Sequence, residues 1–252
     1  MRLFLTLATL LLTPMLLSAE EVVANLSSRE VAITANFDGS DILIYGAVKR
    51  DQPEPDDRLD VIITVEGPSL PIAVRKKDRR FGIWINTESL EVDRAPSFYA
   101  ISSTGNLSTI LDDTEDLRHK ISINRAIRSV GAPDDVNDVP AFTEALIRIR
   151  KEAKLYSRSD NAVQIFESTL FSTTIDLPAN LVEGPYLTQI YLVRDGEVVD
   201  RYATAINVNK VGLERWIYDL AHQKPLIYGL LSLFIAIAAG WMASAFFRYL
   251  RF

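Results

Sequence analysis

The chain has 252 residues, 48% of them hydrophobic and 24% charged, with no cysteine and two histidines. That mixture excludes a disordered chain and a collagen-like repeat, and the missing cysteine excludes a disulfide scaffold, a thiol nucleophile and a cysteine-ligated metal. A net charge of −6 lacks the basic footprint that general nucleic-acid binding requires.

The N-terminus carries Arg2, an apolar run over 3–17 and then Ser18-Ala19-Glu20. A positive charge, a short apolar run and a small residue before an acidic start make residues 1–19 a secretory signal peptide, with cleavage expected after Ala19. An uncleaved anchor is the alternative. Pro14 and the shortness of the run argue against a full span, which takes about 20 apolar residues.

Residues 20–104 read as short strands: 22–26, 30–35, 41–49, 60–66, 71–76, 81–86 and 97–103. Val31 and Ile33 share one face, as do Ile42, Ile44 and Gly46, and Ile62 opposes Ile63. Turn signals fall at Asp38-Gly39, Pro53, Pro55 and Gly67-Pro68. This spacing predicts an immunoglobulin-like β-sandwich. The charged run over 75–80 reads as a hairpin tip.

Residues 105–157 form a helical segment, with signals over 114–130 and again over 140–156. In the second, Phe142, Leu146, Ile149, Ala153 and Tyr156 recur at three- and four-residue steps. Strands resume in 158–212, at 170–177, 186–194 and 198–208, the last two joined by the hairpin signal Asp195-Gly196. These strands either complete the sandwich or form a smaller α+β region packed on it, the latter being favoured.

An amphipathic stretch follows over 213–224, with Leu213, Trp216, Ile217 and Leu220 on one face. It reads either as a helix on the membrane surface or as the first turns of a continuous helix. Residues 225–247 then run for 23 positions without a charge. As a helix they extend about 34 Å, enough to cross a hydrocarbon core of about 30 Å, so one C-terminal transmembrane helix is expected. The residues 248–252 form a tail holding Arg248 and Arg251, which suits the cytoplasmic side. Arg2, Arg248 and Arg251 are the only charges outside 20–224, so that exported segment carries −9. Such a body is repelled by anionic headgroups.

Gly229, Ser232, Ala236, Gly240 and Ala243 recur every three or four residues along the span, a small-residue ridge that allows close helix packing in lipid. A passive anchor is the competing reading. Arg75, Lys76, Lys77, Arg79 and Arg80 make the densest basic cluster. A solvated turn is its ordinary explanation, and docking on an acidic partner or lipid headgroups is the functional one.

Catalytic motifs do not emerge. There is no Gly-x-Ser-x-Gly, phosphate-binding glycine loop, dinucleotide fingerprint or His-Glu-x-x-His. Residues 112–116 are acidic but lack the glycine and glutamate of a calcium loop, and read as a solvated helix start. His119 reads as a surface histidine. A carboxylate-only enzyme would draw on Asp112, Asp113, Asp134 and Asp135, which sequence adjacency alone does not bring around a substrate. No enzyme activity, cofactor or metal is expected.

Several short motifs recur in a characteristic order: Phe37-x-Gly39, Ile42-x-Ile44-x-Gly46, Leu155-Tyr156, Leu170-Phe171 and Leu177-Pro178-Ala179-Asn180. They continue with Gly184-x-Tyr186, Gly196, Lys210-Val211-Gly212, Tyr228-Gly229 and Gly240-Trp241. Over most of its length the chain resembles the alphaproteobacterial putative transmembrane protein family. Val182-Glu183 stands where that family usually has a proline. The resemblance implies an exported body with one C-terminal span and no established activity. It also implies neighbourhood with an inner-membrane permease of the sulfite-exporter type.

The expectation is a mainly β protein anchored in the bacterial inner membrane, its body in the periplasm and its C-terminus in the cytoplasm. It would act as a non-enzymatic accessory to another integral membrane protein, or pair with itself through the span. The alternative is a periplasmic binding module for a small anion or peptide, with the 75–80 cluster as its element.

Overall fold

A computed structural model describes residues 20–34, 36–51, 53, 55, 57–129 and 138–249. The expected signal peptide, Asp134, Asp135 and the last three residues lie outside these.

Twelve strands and six helices are described. The strands are β1 (Glu20–Leu26), β2 (Glu30–Ile33), β3 (Gly39–Arg50), β4 (Asp60–Glu66), β5 (Ser69–Arg80) and β6 (Ile83–Pro96). They continue with β7 (Tyr99–Ser103), β8 (Tyr156–Ser159), β9 (Gln164–Phe166), β10 (Leu170–Pro178), β11 (Gly184–Arg194) and β12 (Glu197–Lys210). The helices are α1 (Leu107–Ile110), α2 (Asp113–His119), α3 (Ile123–Ala126), α4 (Val139–Glu152), α5 (Leu213–Gln223) and α6 (Pro225–Tyr249).

A four-stranded sheet has the order β1-β3-β10-β9, and a six-stranded sheet the order β2-β12-β11-β4-β7-β8. The two β regions of the sequence therefore share both sheets: β10 pairs with β3, and β11 pairs with β4. Of the two arrangements considered for 158–212, completion of the sandwich is the one that forms. One apolar core joins Ile42, Ile44, Phe171 and Ile175 of the smaller sheet to Ile63, Val65, Ile190 and Ile206 of the larger. Alternation explains which side chains enter it, because only every second residue of a strand faces inward.

Strands β4 and β7 break that alternation. Val61, Ile62, Ile63 and Val65 are all buried, as is every residue of β7. Their second face lies beneath the helical segment, where Tyr99 Oη donates to Ile121 O at 2.9 Å. A strand covered on both sides reads as a continuous apolar run. The helical signals over 114–130 correspond, among the described residues, to α2 and α3, with Lys120 left-handed at the break (φ 56°).

The β5–β6 hairpin is longer than its sequence indicates. The 75–80 run does not interrupt the strand; it forms the last half of β5, beside the turn at Phe81-Gly82. Val74, Leu90 and Val92, in the proximal half, are buried in the core cluster. Beyond Arg75 the ribbon leaves the core, and among the described residues β5 and β6 pair only with each other. The Asp195-Gly196 turn forms as expected, with φ of 47° and 86° at its two residues.

Helix α5 ends at Gln223, the backbone of Lys224 is non-helical (φ −136°), and α6 begins afresh at Pro225. The two are separate helices. Along α6, the stretch Pro225–Phe246 has none of its most apolar window buried in the protein. A soluble core helix of that composition would be covered.

Candidate functional site: a cationic groove, a basic hairpin tip and an uncovered span

The outer face of the six-stranded sheet presents Thr64 and Glu66 from β4, Tyr99 from β7, Leu187 and Gln189 from β11, and Arg201 from β12. Register places them together: Glu66 lies opposite both Tyr99 and Leu187, and Thr64 opposite Gln189. Residues 119–129 cross above this face. Two backbone bonds, Arg94 N to Arg128 O (3.1 Å) and Arg128 N to Arg94 O (2.8 Å), fasten their far end to β6. Between the sheet and this segment lies a cavity of about 420 Å³, lined among others by Arg94, His119, Lys120, Arg125, Arg128 and Arg201.

The groove is electrostatically one-sided. Among the described residues its one lining carboxylate, Glu66, accepts from Arg94 at 2.9 Å and from Ser69 Oγ at 3.0 Å. His119 lies 3.3 Å from the buried Glu115 and meets Tyr191 edge-on at 5.6 Å. It is thus a groove-wall residue rather than the surface histidine expected. Arg125, Arg128 and Arg201 extend exposed at the rim, with no ion pair to a described carboxylate. Burial holds the Tyr99 hydroxyl well above its ordinary pKa, and pushes Tyr191 up to about 12 against the opposing pull of Arg201. Both hydroxyls stay neutral and already donate within the protein, Tyr99 to Ile121 O and Tyr191 to Gln189 Oε1, so the rim cations are what would attract an anion. A larger hollow of about 590 Å³ beside Pro55 and Leu59 is shallower and carries Asp57 with Arg58, so its charges oppose each other.

The 75–80 cluster does not contribute to the groove. Lys76 pairs with Glu88 at 3.1 Å on the exposed ribbon, and Arg75, Lys77, Arg79 and Arg80 surround it in solvent. No described residue covers the apolar tip beside them. Phe81 is fully exposed, Ile83 is 64% exposed and Trp84 67%. The groove cations were not apparent as a cluster because they are scattered between Arg94 and Arg201, one or two per element, and a search by local density passes over them.

Gly229, Ser232, Ala236, Gly240 and Ala243 lie on α6 as the spacing predicts. A Cβ placed on Gly229 or Gly240 would meet nothing within 4 Å. Ser232 Oγ donates to Tyr228 O at 2.8 Å, so its polar group is satisfied inside the helix, as lipid demands.

Residues 112–116 place acidic side chains at the start of α2, and Asp116 Oδ1 accepts from Ser122 N at 2.7 Å. Among the described residues no group of three or more His, Asp or Glu side chains is placed to hold a metal.

Residues 21–249 match the profile of a family described as "Putative transmembrane protein (Alph_Pro_TM)". No curated protein matches the chain. Since the profile covers nearly the whole length, the chain belongs to that family. Together with the uncovered helix α6, this makes it a single-pass membrane protein over its described residues.

Proposed function

We propose that this member of the family is a non-enzymatic accessory protein that presents a folded β body beside another integral membrane protein. The observation that carries the reading is the uncovered apolar helix α6, joined to the body by the short helix α5. The signal-peptide pattern of residues 1–19 and the Arg248 that follows the span support a periplasmic body and a cytoplasmic C-terminus, in the inner membrane of a bacterium. The ridge from Gly229 to Ala243 supplies a face for close helix packing. A permease of the sulfite-exporter type is the partner this reading favours.

Crosslinking in native membranes, then purification in mild detergent, tests the reading. The expected product is a complex of fixed stoichiometry containing one second integral membrane protein, lost in Gly240→Leu. Recovery of the monomer alone would overturn it. A reporter fused after Phe252 is expected to be active only on the cytoplasmic side.

The cationic groove favours a second reading, a binding module for a small anion or an acidic peptide end. Its element is then the rim of Arg125, Arg128 and Arg201 and not the 75–80 cluster. Thermal unfolding of the full chain in detergent, titrated with phosphate, sulfate and citrate, checks it. Saturation at about 100-fold above Kd stabilises by about 2.7 kcal/mol, which raises Tm by roughly 5–10 °C in a protein of this size. Arg125→Ala with Arg128→Ala should abolish the shift and leave the unliganded Tm unchanged.

A further inference from the structure

The distal half of the β5–β6 hairpin has no structural reason to be apolar. Cross-strand partners share a face, so Lys77, Arg79, Trp84 and Asn86 lie on one side of the ribbon, and Asp78, Arg80, Ile83 and Ile85 on the other. Phe81 tops the turn. Exposed apolar side chains therefore emerge on both faces and at the end, within five consecutive positions. A flat protein surface could cover one of these faces and would leave the others in water. A bilayer interface surrounds the tip from every side.

Charge and position select the same occupant. The stretch 75–88 contains five cations and two carboxylates, a net +3, so the rest of the −9 exported body carries −12. Over an anionic surface the body is pushed away while the ribbon is drawn in. The hairpin leaves the six-stranded sheet between β4 and β7, at the end where β12 exits: Glu66 and Ala205 are level, both opposite Leu187. From that end α5 and α6 begin after only Val211 and Gly212. The base of the hairpin is thus about two strand spacings, roughly 10 Å, from the strand that leads to the span. Twelve residues of β5 reach about 40 Å from that base.

We propose that this hairpin is a membrane-docking wedge, which inserts Phe81, Ile83 and Trp84 into the interface of an anionic bilayer while the 75–80 cations bind its headgroups. The proposal rests on the tethering of the chain by α6.

Two single-tryptophan forms of the full chain test both statements separately. One keeps Trp84 (Trp216→Phe, Trp241→Phe) and the other keeps Trp241 (Trp84→Phe, Trp216→Phe). Each is reconstituted in vesicles of brominated lipid, either zwitterionic or containing 30–40% (about) phosphatidylglycerol, which places several anionic headgroups within a Debye length of the tip. Trp241 is expected to be quenched in both, reporting the span. Trp84 is expected to be quenched in the anionic vesicles alone. Arg79→Gln with Arg80→Gln should lower the docked-to-free ratio about 25-fold, at about fivefold per cation. Quenching of Trp241 without Trp84 would overturn the wedge and leave the tether standing. Equal quenching of Trp84 in zwitterionic vesicles would overturn recognition by charge, and loss of quenching at both residues would overturn the tether as well.

Discussion

Strand β4 and the distal end of β6 are built from similar residues and lie in opposite surroundings. Val61-Ile62-Ile63 is fully buried, with the smaller sheet on one side and the helical segment on the other. Ile83-Trp84-Ile85 is exposed on both sides. Each is a continuous run of strand-forming residues, and each pairs with a neighbour in regular register. β-propensity measures fitness for a pleated surface and does not say what covers that surface. The body uses apolar residues to hold itself together, whereas the hairpin tip leaves them available for something else.

The largest expected effect tests that division directly. Ile63→Ala or Ile190→Ala removes a side chain with no exposed surface, and should cost about 2–5 kcal/mol through lost burial and the cavity left behind. Ile83→Ala should fall within about 0.5 kcal/mol of the parent, as exposed substitutions do. Urea unfolding of the full chain in mild detergent, followed by near-ultraviolet circular dichroism, measures both. Comparable losses would mean that the tip packs on the body and that the comparison fails.

Ion pairs repeat the contrast. Glu20, at the start of β1, accepts from Arg194 at 2.7 and 2.8 Å and from Arg50 at 2.7 Å, with all three side chains largely buried. Arg194→Met leaves a buried carboxylate with half its partners and should cost about 3 kcal/mol. Lys76→Met, which breaks the exposed pair with Glu88, should cost about 0–1 kcal/mol. The hydrogen bond from Arg194 is the main cause that holds the Glu20 carboxyl below its ordinary value of 4.5, desolvation opposing it and Arg50 adding to it. A depressed folded pKa gives stability that is present above the unfolded value and lost as pH falls through the folded one. The stability difference between the parent and Glu20→Gln should therefore be full at pH 6 and shrink progressively below 4.5. A difference that stayed constant down to pH 3 would assign the effect to packing instead of charge.

Local patterns made much of this legible. Alternation in 41–49 and 198–208 located strands of both sheets, the Asp195-Gly196 pair located their tightest turn, and the uncharged run located the span. What stayed hidden depends on distance along the chain. The partnership of β4 with β11 joins residues more than 120 positions apart, so nothing near Ile62 announces that two layers will cover it. The groove is hidden for the same reason, since Arg94, Arg125 and Arg201 converge only after the sheet and the helical segment have packed. Several residues that carry the family resemblance prove to be structural contacts. Tyr156 Oη donates to Pro96 O at 2.7 Å, Tyr186 Oη to Val182 O at 2.8 Å, and Asn180 Nδ2 to Ala153 O at 3.3 Å. These bonds join β8 to the end of β6, β11 to the loop before it, and the loop after β10 to the C-terminus of α4, structural roles that assign them no chemistry.

Gly46 shows the division at the scale of one methyl group. It lies opposite Phe171 in the β3–β10 ladder and Ala24 in the β1–β3 ladder. A Cβ there would stand 2.5 Å from the Phe171 ring, 2.7 Å from Val23 O and 2.9 Å from Ala24 Cβ. The ring can rotate aside only into a packed core, and the backbone oxygen cannot yield without disturbing the ladder. Gly46→Ala should therefore destabilise by about 1–3 kcal/mol, as overpacking does. Gly82, at the hairpin turn, has nothing within 4 Å of the same atom, and its only demand is a φ of 84°. Gly82→Ala meets that backbone strain alone, at about 1 kcal/mol, whereas Gly82→Asn, a residue tolerant of the left-handed region, should be nearly neutral. Thermal unfolding of the three variants in one detergent would order them Gly46→Ala, Gly82→Ala, Gly82→Asn. If Gly82→Asn proved as damaging as Gly46→Ala, the turn would have to be packed against something, and the hairpin tip would no longer be free to meet a membrane.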